Sequence, residues 1–365
     1  MRRILLLACS IIFCIAAGAQ RYAGADISLL PSYEAAGVSF SDSTGRNVDF
    51  LPFVSREGWN AVRLRLFVNP EFASDHHKDE GVWQSLDYIT PLARRVKEAG
   101  MKLMIDFHYS DTWADPGKQF VPKRWDNCNA RQLADSIYVY TSASLRHLKE
   151  NGAEPDFIQV GNEVSYGMLW PSGRVNLDGS TPDSRWSLFS DMLQSGCRAC
   201  REVCPSAKVI VHIERAGHPD ECFLFFDKIR HCGVDYDIVG LSYYPMWHGD
   251  FATLNKTLDM FAAEFPSKRV MIVETAYFYA EHKVWPSDRD TRSEFPFSPD
   301  GQKEYTRSLV SLLKKHDNVD GLYWWCAEEN CYNNKVIKFP MNRGLWDNSN
   351  GRALPAVSEL GNFAR

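Results

Sequence analysis

The chain has 365 residues, of which 45% are hydrophobic and 24% are charged; this composition predicts a folded globular protein and excludes a disordered one. It carries 41 basic and 46 acidic residues, so its net negative charge argues against nucleic acid or another polyanion as a partner. A neutral ligand is the better match to this charge.

The first 19 residues have the pattern of a secretory signal peptide. Arg2 and Arg3 precede an apolar stretch that ends in the small residues AGA, as at a signal peptidase site. This stretch is short for a membrane span, which needs roughly 20 apolar residues, and no later run is long enough. We therefore expect an exported mature chain, residues 20–365, that is secreted or periplasmic and has no transmembrane span. Lipid anchoring at Cys9 is less favoured, because it would leave too short an apolar segment before the cysteine.

The mature chain would carry eight of the ten cysteines into an oxidising compartment, where disulfides can persist. Cys197, Cys200 and Cys204 recur on one face of a predicted helix, which favours buried thiols over disulfide members. A zinc site is less favoured there, because neither a paired CxxC motif nor suitably spaced histidines follow. Cys326 and Cys331 are close enough in sequence to staple a loop. The spacing alone does not determine the pairing.

Eight short apolar runs, each closed by turn residues, predict eight β-strands. They span residues 22–28, 61–67, 102–108, 157–163, 208–214, 238–244, 270–276 and 321–327. Segments with helical periodicity separate most of these runs. The clearest apolar positions are Leu86, Ile89, Leu92, Ala93 and Val96, then Leu133, Ile137, Thr141, Leu145 and Leu148, then Tyr305, Leu309, Leu312 and Leu313.

This alternation of strands and helices predicts a parallel sheet, because parallel neighbours need a crossover connection. Eight such units in about 300 residues predict a closed (β/α)8 TIM barrel. The absence of a linker or a shift in composition predicts a single domain. An open doubly wound sheet is the alternative, but no strand is followed by a GxGxxG turn that would support it.

Active sites of such barrels lie at the C-terminal ends of the strands, and polar side chains collect there in this sequence. They are Arg63 and Arg65 on strand two, Asp106 and His108 on strand three, Asn162 and Glu163 on strand four, His212 and Glu214 on strand five, Tyr243 on strand six and Glu274 on strand seven. Tryptophans also fall on or after strand ends, where an indole face can stack on a sugar. They are Trp113, Trp170, Trp247, Trp285, Trp324, Trp325 and Trp346.

Glu163 and Glu274 come from opposing sides of the predicted ring and can face each other across a cleft. One carboxyl can protonate a glycosidic oxygen while the other attacks the anomeric carbon, which is the arrangement of a retaining glycosidase. Asn162 could contact the sugar 2-hydroxyl, and Tyr243 could donate a hydrogen bond to the nucleophile. A lone glutamate after a strand is more often structural, but the two together with these neighbours favour catalysis.

Several longer motifs are together similar to one enzyme family. GADISLLPSYE, GWNAVRLRLFVNP, MIDFHYSDTWADPGKQ, FIQVGNEVSYGMLWPSG, IVGLSYYP, VETAY and GLWDN resemble glycoside hydrolase family 53, the endo-β-1,4-galactanases of clan A. The likeness runs from about residue 22 to residue 354.

This resemblance implies a (β/α)8 barrel, a retaining double displacement and β-1,4-galactan or type I arabinogalactan as substrate. It assigns Glu163 as the acid/base and Glu274 as the nucleophile. Its sugar-binding positions map onto Arg63, His108, Asp111, Trp113, Asn162, Tyr243 and Trp346.

Two segments depart from the family pattern. Strand eight reads YWWCAE at residues 323–328 where family members often read YWEPAW, so the subsite that this strand shapes is open. Some bacterial members bind calcium through a DGDGH run after strand seven, whereas this chain has DRDTR at residues 288–292. Two carboxylates interleaved with arginines are a poor set of ligands for calcium. We therefore expect neither calcium nor another cofactor.

Three alternatives to a monomeric galactanase remain at this point. Another clan A β-glycanase, acting on mannan or glucan, would use the same glutamate pair. Metal-assisted hydrolysis through Asp106, His108, His212 and His218 is disfavoured, because no HxH pair occurs. A glycan-binding barrel without turnover is disfavoured by the presence of both carboxylates.

Overall fold

The structure is a computed structural model that describes residues 20–281, 289–338 and 340–365. The predicted signal peptide lies outside these residues. Among the helices of the described part, none combines the length and the apolar character needed to cross a membrane.

Eight parallel strands close into a ring, and each strand pairs with its neighbours along the chain. The barrel strands are β1 (Tyr22–Asp26), β2 (Ala61–Leu66), β3 (Lys102–Phe107), β4 (Phe157–Val160), β7 (Lys208–Ile213), β8 (Ile238–Ser242), β9 (Arg269–Thr275) and β10 (Val319–Trp324). A short antiparallel hairpin, β5 (Gly167–Met168) and β6 (Gly173–Arg174), follows β4. The predicted (β/α)8 barrel in a single domain is confirmed.

Helices surround the ring. They are α1 (Leu30–Ala35), α2 (Phe50–Arg56), α3 (Asp75–Asp79), α4 (Leu86–Glu98), α5 (Ala130–Glu150), α6 (Asp183–Val203), α7 (Pro219–His231), α8 (Pro245–His248), α9 (Phe251–Glu264), α10 (Pro299–Leu313) and α11 (Ala356–Gly361). The apolar stripes predicted for α4, α5 and α10 face the main core, which fills the layer between helices and sheet. Local signals set the helix starts: Asn129 and Gln132 form a capping box at α5, and Ser85 caps α4.

The interior of the barrel changes from apolar to polar along the strands. Its N-terminal end is filled by a small apolar cluster of Ala61, Met104, Phe157, Ile210, Ile238, Met271, Val273 and Tyr323. Side chains two residues apart on a strand share a face, so the next inward positions on four of these strands are Arg63, Asp106, Gln159 and His212, all fully buried. The barrel is therefore plugged at one end and polar at the other, where a site can form.

All eight cysteines of the described part are unpaired. Cys197 and Cys200 lie fully buried on α6, as the preferred interpretation of that helix predicted. The loop staple expected between Cys326 and Cys331 is not formed.

Candidate active site

The backbone turns sharply after β4 and carries Glu163 to the mouth of the barrel. Gly161 has φ +83°, and a Cβ there would lie 2.7 Å from Val164 Cγ1, so only glycine fits. Glu163 itself has φ +47°, in the left-handed region that non-glycine residues rarely occupy. Such a conformation costs on the order of 1–3 kcal/mol and is concentrated at functional sites.

Glu274 reaches the same mouth from β9. The pairing of β8 with β9 is irregular between Leu241 and Ser242, and beyond this point Ser242 lies opposite Glu274. A bulge of this kind re-aims the side chains that follow it. Glu274 is 6% exposed.

A fully buried guanidinium, that of Arg63, ties these strand ends together. It lies 3.0 Å from Asp26 Oδ2 and 2.8 Å from Asp106 Oδ2. Its Nη2 atom lies 2.8 Å from Glu274 Oε1 and also donates to Asn162 Oδ1 over 3.0 Å. One nitrogen of Arg63 therefore contacts a side chain from β9 and another from the turn after β4. Arg63 thus connects the ends of two strands on opposing sides of the ring.

The two glutamates differ in their electrostatic surroundings. Burial, and then the charge of Glu274, raise the pKa of Glu163 well above its usual value. Burial also raises the pKa of Glu274, but Arg63 opposes that rise. When two coupled carboxyls share one proton, the one without a cationic partner holds it. Glu163 is thus suited to act as an acid, and Glu274 as an ionised nucleophile.

The tyrosine that bonds Glu274 is Tyr244, whose hydroxyl donates to Oε2 over 3.1 Å. Tyr243, predicted for this role, is fully buried and donates instead to the carbonyl of Gly249 over 3.0 Å. The assignment of Tyr243 is therefore wrong. Inward side chains on β8 alternate, and position 244 has the same parity as Ser242, whereas 243 faces the helices.

Removal of the Tyr244 hydroxyl is expected to slow turnover by about 10- to 100-fold, because a hydrogen bond to a charged group is worth about 1.5–3 kcal/mol. Tyr244→Phe should also raise the pH below which activity is lost, since Glu274 would be harder to ionise. The measurement is the pH dependence of kcat/KM. Tyr243→Phe is the matched control and should retain the acid limb of the wild-type pH profile. Equal effects of the two changes would contradict the assignment of Tyr244 as the donor to Glu274.

The other predicted sugar contacts of strands three and four lie near this centre. His108 Nε2 lies 3.0 Å from Asp106 Oδ2, and the ring is almost fully buried. Asn162 Nδ2 donates to the carbonyl of Ala114 over 2.8 Å, which fixes the orientation of its amide. Asp111 accepts two backbone N–H groups from neighbouring loops, so its carboxylate holds those loops in place.

The tryptophans divide between the mouth and the core. Trp113 and Trp325 are half-buried, with ring centroids 6.1 Å apart, and both lie close to the Arg65 guanidinium. Trp346 is fully buried and packs against Phe40 and two further phenylalanines. This position contradicts the predicted sugar contact of Trp346, because its ring faces have core partners. Trp324 is also fully buried, and Trp285 lies outside the described residues.

After Trp325, which lies at the mouth, the divergent end of strand eight is buried in the fold. Glu328 is fully buried and accepts the backbone N–H of Leu29 over 2.7 Å. Glu329 accepts two backbone N–H groups, from Met341 and Asn342, each over 2.8 Å. Both carboxyls therefore connect loops at the mouth of the barrel.

The described residues offer no cluster of side chains able to hold a metal ion. Asp106 and His108 lie beside the Arg63 guanidinium, and this positive charge opposes a second cation. In the loop after β9, the carboxylate of Asp290 is paired with Arg292, and Asp288 lies outside the described residues.

Besides Tyr244, further residues of this site were missed from the sequence. Gln159 and Ser242 lie at inward positions of β4 and β8, and both contact the network around Glu163. The period of two along each strand, counted from Phe157 and Ile238, would have placed both inside the barrel.

The sequence model of glycosyl hydrolase family 53 matches residues 22–360. The chain belongs to glycosyl hydrolase family 53. A family 53 relative from Cellvibrio japonicus, named arabinogalactan endo-β-1,4-galactanase, is 33% identical over 316 residues, which cover 83% of this chain and 79% of that protein. A relative of the same name from Emericella nidulans is 30% identical and covers 85% of this chain and 86% of its own length.

Solved structures of family 53 proteins have the same architecture. The catalytic domain from Ignisphaera aggregans superposes with a TM-score of 0.82 at 28% identity, covering 93% of this chain and 95% of that one. A structure described as one of two fungal β-1,4-galactanases gives a TM-score of 0.80 at 27% identity, covering 94% and 99%.

Proposed function

We propose that this family 53 protein is a retaining endo-β-1,4-galactanase that hydrolyses β-1,4-galactan or the galactan backbone of type I arabinogalactan. The observation that supports this most directly is the electrostatic interaction of Glu163 with Glu274: among the residues that the structure describes, only Glu274 of the two has a cationic partner, Arg63. The names of the relatives supply the sugar, because a glutamate pair does not by itself select one.

The reaction would proceed as a double displacement. Glu274 attacks the anomeric carbon while Glu163 protonates the departing glycosidic oxygen, which gives a covalent glycosyl-enzyme. Glu163, now ionised, takes a proton from water, and this water displaces Glu274 with net retention. Tyr244 and Arg63 stabilise the carboxylate form of Glu274 before the first step and again after the second step releases it. Asn162, Trp113 and His108 would contact the sugar.

Linear β-1,4-galactan is expected to be cleaved much faster than β-mannan or cellulose at matched concentrations. Early products should be a spread of oligomers, since an endo-acting enzyme cuts internal linkages. The measurement is the initial rate of release of reducing ends, with sizing of products over time. A higher rate on mannan or glucan would favour another clan A β-glycanase, and a single short product from the start would indicate end-wise release.

Dialysis against a chelator is expected to leave both the hydrolysis rate and the melting temperature unchanged, because the loop after β9 pairs its arginines with acidic groups. Galactan hydrolysis before and after treatment with EDTA measures this. A loss that added calcium restores would overturn the proposal that the enzyme works without a metal.

We further propose that residues 1–19 direct export and are removed, and that the mature enzyme acts as a monomer. The basic and apolar pattern of the segment supports export. The N-terminal sequence of the protein recovered from the host's culture medium or periplasm tests the cleavage, and light scattering of the purified enzyme tests the oligomeric state.

A further inference from the structure

We propose that Ser242 is a positioning residue for the acid/base: held by a hydrogen bond from His212, it donates to one oxygen of Glu163 and so confines the catalytic proton to the other. The inference rests on the proposed function. It is carried by a chain of hydrogen bonds that runs from Gln159 through His212 and Ser242 to Glu163.

The chain begins at a side-chain amide with a fixed orientation. Gln159 Nε2 faces the carboxylate of Asp106 and the carbonyl of Gly161, while its Oε1 accepts from Arg63 Nε. A flipped amide would place oxygen against both acceptors, so Nε2 must be the donor. This nitrogen lies 3.0 Å from His212 Nδ1.

The backbone then fixes the tautomer of His212. The N–H of Glu163 donates to His212 Nδ1 over 3.4 Å, and the hydrogen of a backbone amide cannot be moved to another place. With Nδ1 as the acceptor, the neutral ring carries its proton on Nε2. Asn162 Oδ1 lies 3.0 Å from the same Nδ1, so two acceptors face each other there. Gln159 Nε2 lies 3.1 Å from Asn162 Oδ1, and one of its side-chain N–H groups is positioned to bridge the two acceptors.

The direction of the remaining bonds follows. His212 Nε2 donates to Ser242 Oγ over 2.8 Å, so the serine hydroxyl is free to donate onward, to Glu163 Oε1 over 2.7 Å. Oε1 is therefore an acceptor in both protonation states of Glu163. The proton delivered to the glycosidic oxygen must lie on Oε2.

The charges around His212 and Glu163 agree with this direction of the hydrogen bonds. Burial, and then Arg63, lower the pKa of His212 well below its usual value, so the ring stays neutral. The groups that act on His212 are Arg63, Asp106, His108 and His248. Those that act on Glu163 are Glu274, Glu214 and Asp115, all acidic. Ser242 is thus the side chain that favours the carboxylate form of Glu163, and this form is the base of the second step.

The test compares wild type, Ser242→Ala and Ser242→Thr on galactan and on an aryl β-galactobioside whose leaving group departs without protonation. Ser242→Ala should lower kcat/KM for galactan about tenfold, because the acid is no longer held in its productive orientation. The basic limb of its pH profile of kcat/KM should move up by about one pH unit, since the Glu163 carboxylate loses a hydrogen-bond donor and its pKa rises. For the aryl substrate kcat/KM should change little, because bond cleavage there needs no acid. Ser242→Thr keeps the hydroxyl and should restore the wild-type limb.

Ser180→Ala is the matched control. Its hydroxyl also donates to a carboxylate, that of Asp178 over 2.5 Å, but this pair is exposed and does not act on Glu163. The control should therefore retain the basic limb of the wild type. A carbon-13 titration of Glu163 in the labelled enzyme without substrate gives a readout independent of galactan, and its pKa should rise in Ser242→Ala.

The outcomes separate this inference from the proposed function. A wild-type enzyme that does not cleave galactan rejects the proposed substrate, while the titration still tests Ser242. A titration and a basic limb that stay unchanged in Ser242→Ala overturn the inference. Equal losses on galactan and on the aryl substrate overturn it as well, because they indicate a general disruption of the site.

Discussion

Replacement of Glu274 by glutamine is expected to lower galactan hydrolysis by about 10⁴-fold or more, because no covalent intermediate can form without the nucleophile. Glu163→Gln should cost about 10²- to 10⁴-fold, the usual contribution of a general acid/base. Initial rates of reducing-end release measure both. Glu304→Gln, an isosteric change at a half-exposed position on α10, is the control and should retain full activity.

The two roles can be told apart by the stereochemistry of rescue with azide. In Glu163→Ala the glycosyl-enzyme still forms from an activated aryl substrate, and azide then attacks the face from which water would come, giving the β-azide. In Glu274→Ala azide takes the place of the nucleophile and gives the α-azide. The anomer formed is read by proton NMR, and the opposite assignment of anomers would reverse the proposed roles.

Arg63→Met is expected to reduce the free energy of unfolding by about 3–5 kcal/mol, the cost of leaving a buried charge without its partner. Arg63 is fully buried and lies within 3.0 Å of Asp26, Asp106 and Glu274. Chemical denaturation at neutral pH measures the loss. Arg292→Met removes a surface pair with Asp290 and should leave the unfolding midpoint unchanged.

The effect of Arg63→Met should depend on pH in a defined direction. Burial opposes the ionisation of Asp106, but Arg63, His108 and His212 together outweigh it and lower the pKa of this carboxyl. A lowered pKa in the folded state contributes stability above the unfolded pKa of about 4, and this contribution is lost as the pH falls further. In the variant the carboxyls prefer to be neutral, so the difference from wild type should shrink below about pH 4. A difference that is constant from pH 7 to pH 3 would exclude this electrostatic origin.

The sequence predicted the architecture because its signals were local and repeated. Each barrel strand is an apolar run bounded by turn residues, and the stripes of α4, α5 and α10 recur with helical period. The sequence placed Arg63 and Asp106 at the C-terminal ends of their strands, and in the structure the two side chains form a buried ion pair there. The glutamates were found for the same reason, because each ends an apolar strand.

The two errors have different causes. Tyr243 was chosen over its neighbour although the period of two, counted from Ile238, places Tyr244 inside the ring, where its hydroxyl bonds to Glu274. Trp346 follows the last strand in a loop without periodicity, and its contacts with Phe40 and Phe50 come from segments about 300 residues earlier. A motif match fixes the place of such a residue in the chain but not the face that its ring presents.

By itself the sequence was enough to identify the barrel, the two carboxyls and the family motifs. The alternation of strands and helices and the ends of the strands are local features that consecutive residues reveal. Only the tertiary structure decided that Arg63 pairs with Glu274 rather than with Glu163, and that His212 bonds to Ser242 and Ser242 to Glu163. The physical reason is that a pKa and a proton's position depend on charges and donors within a few ångströms. In a closed ring those groups come from strands separated by tens to hundreds of residues.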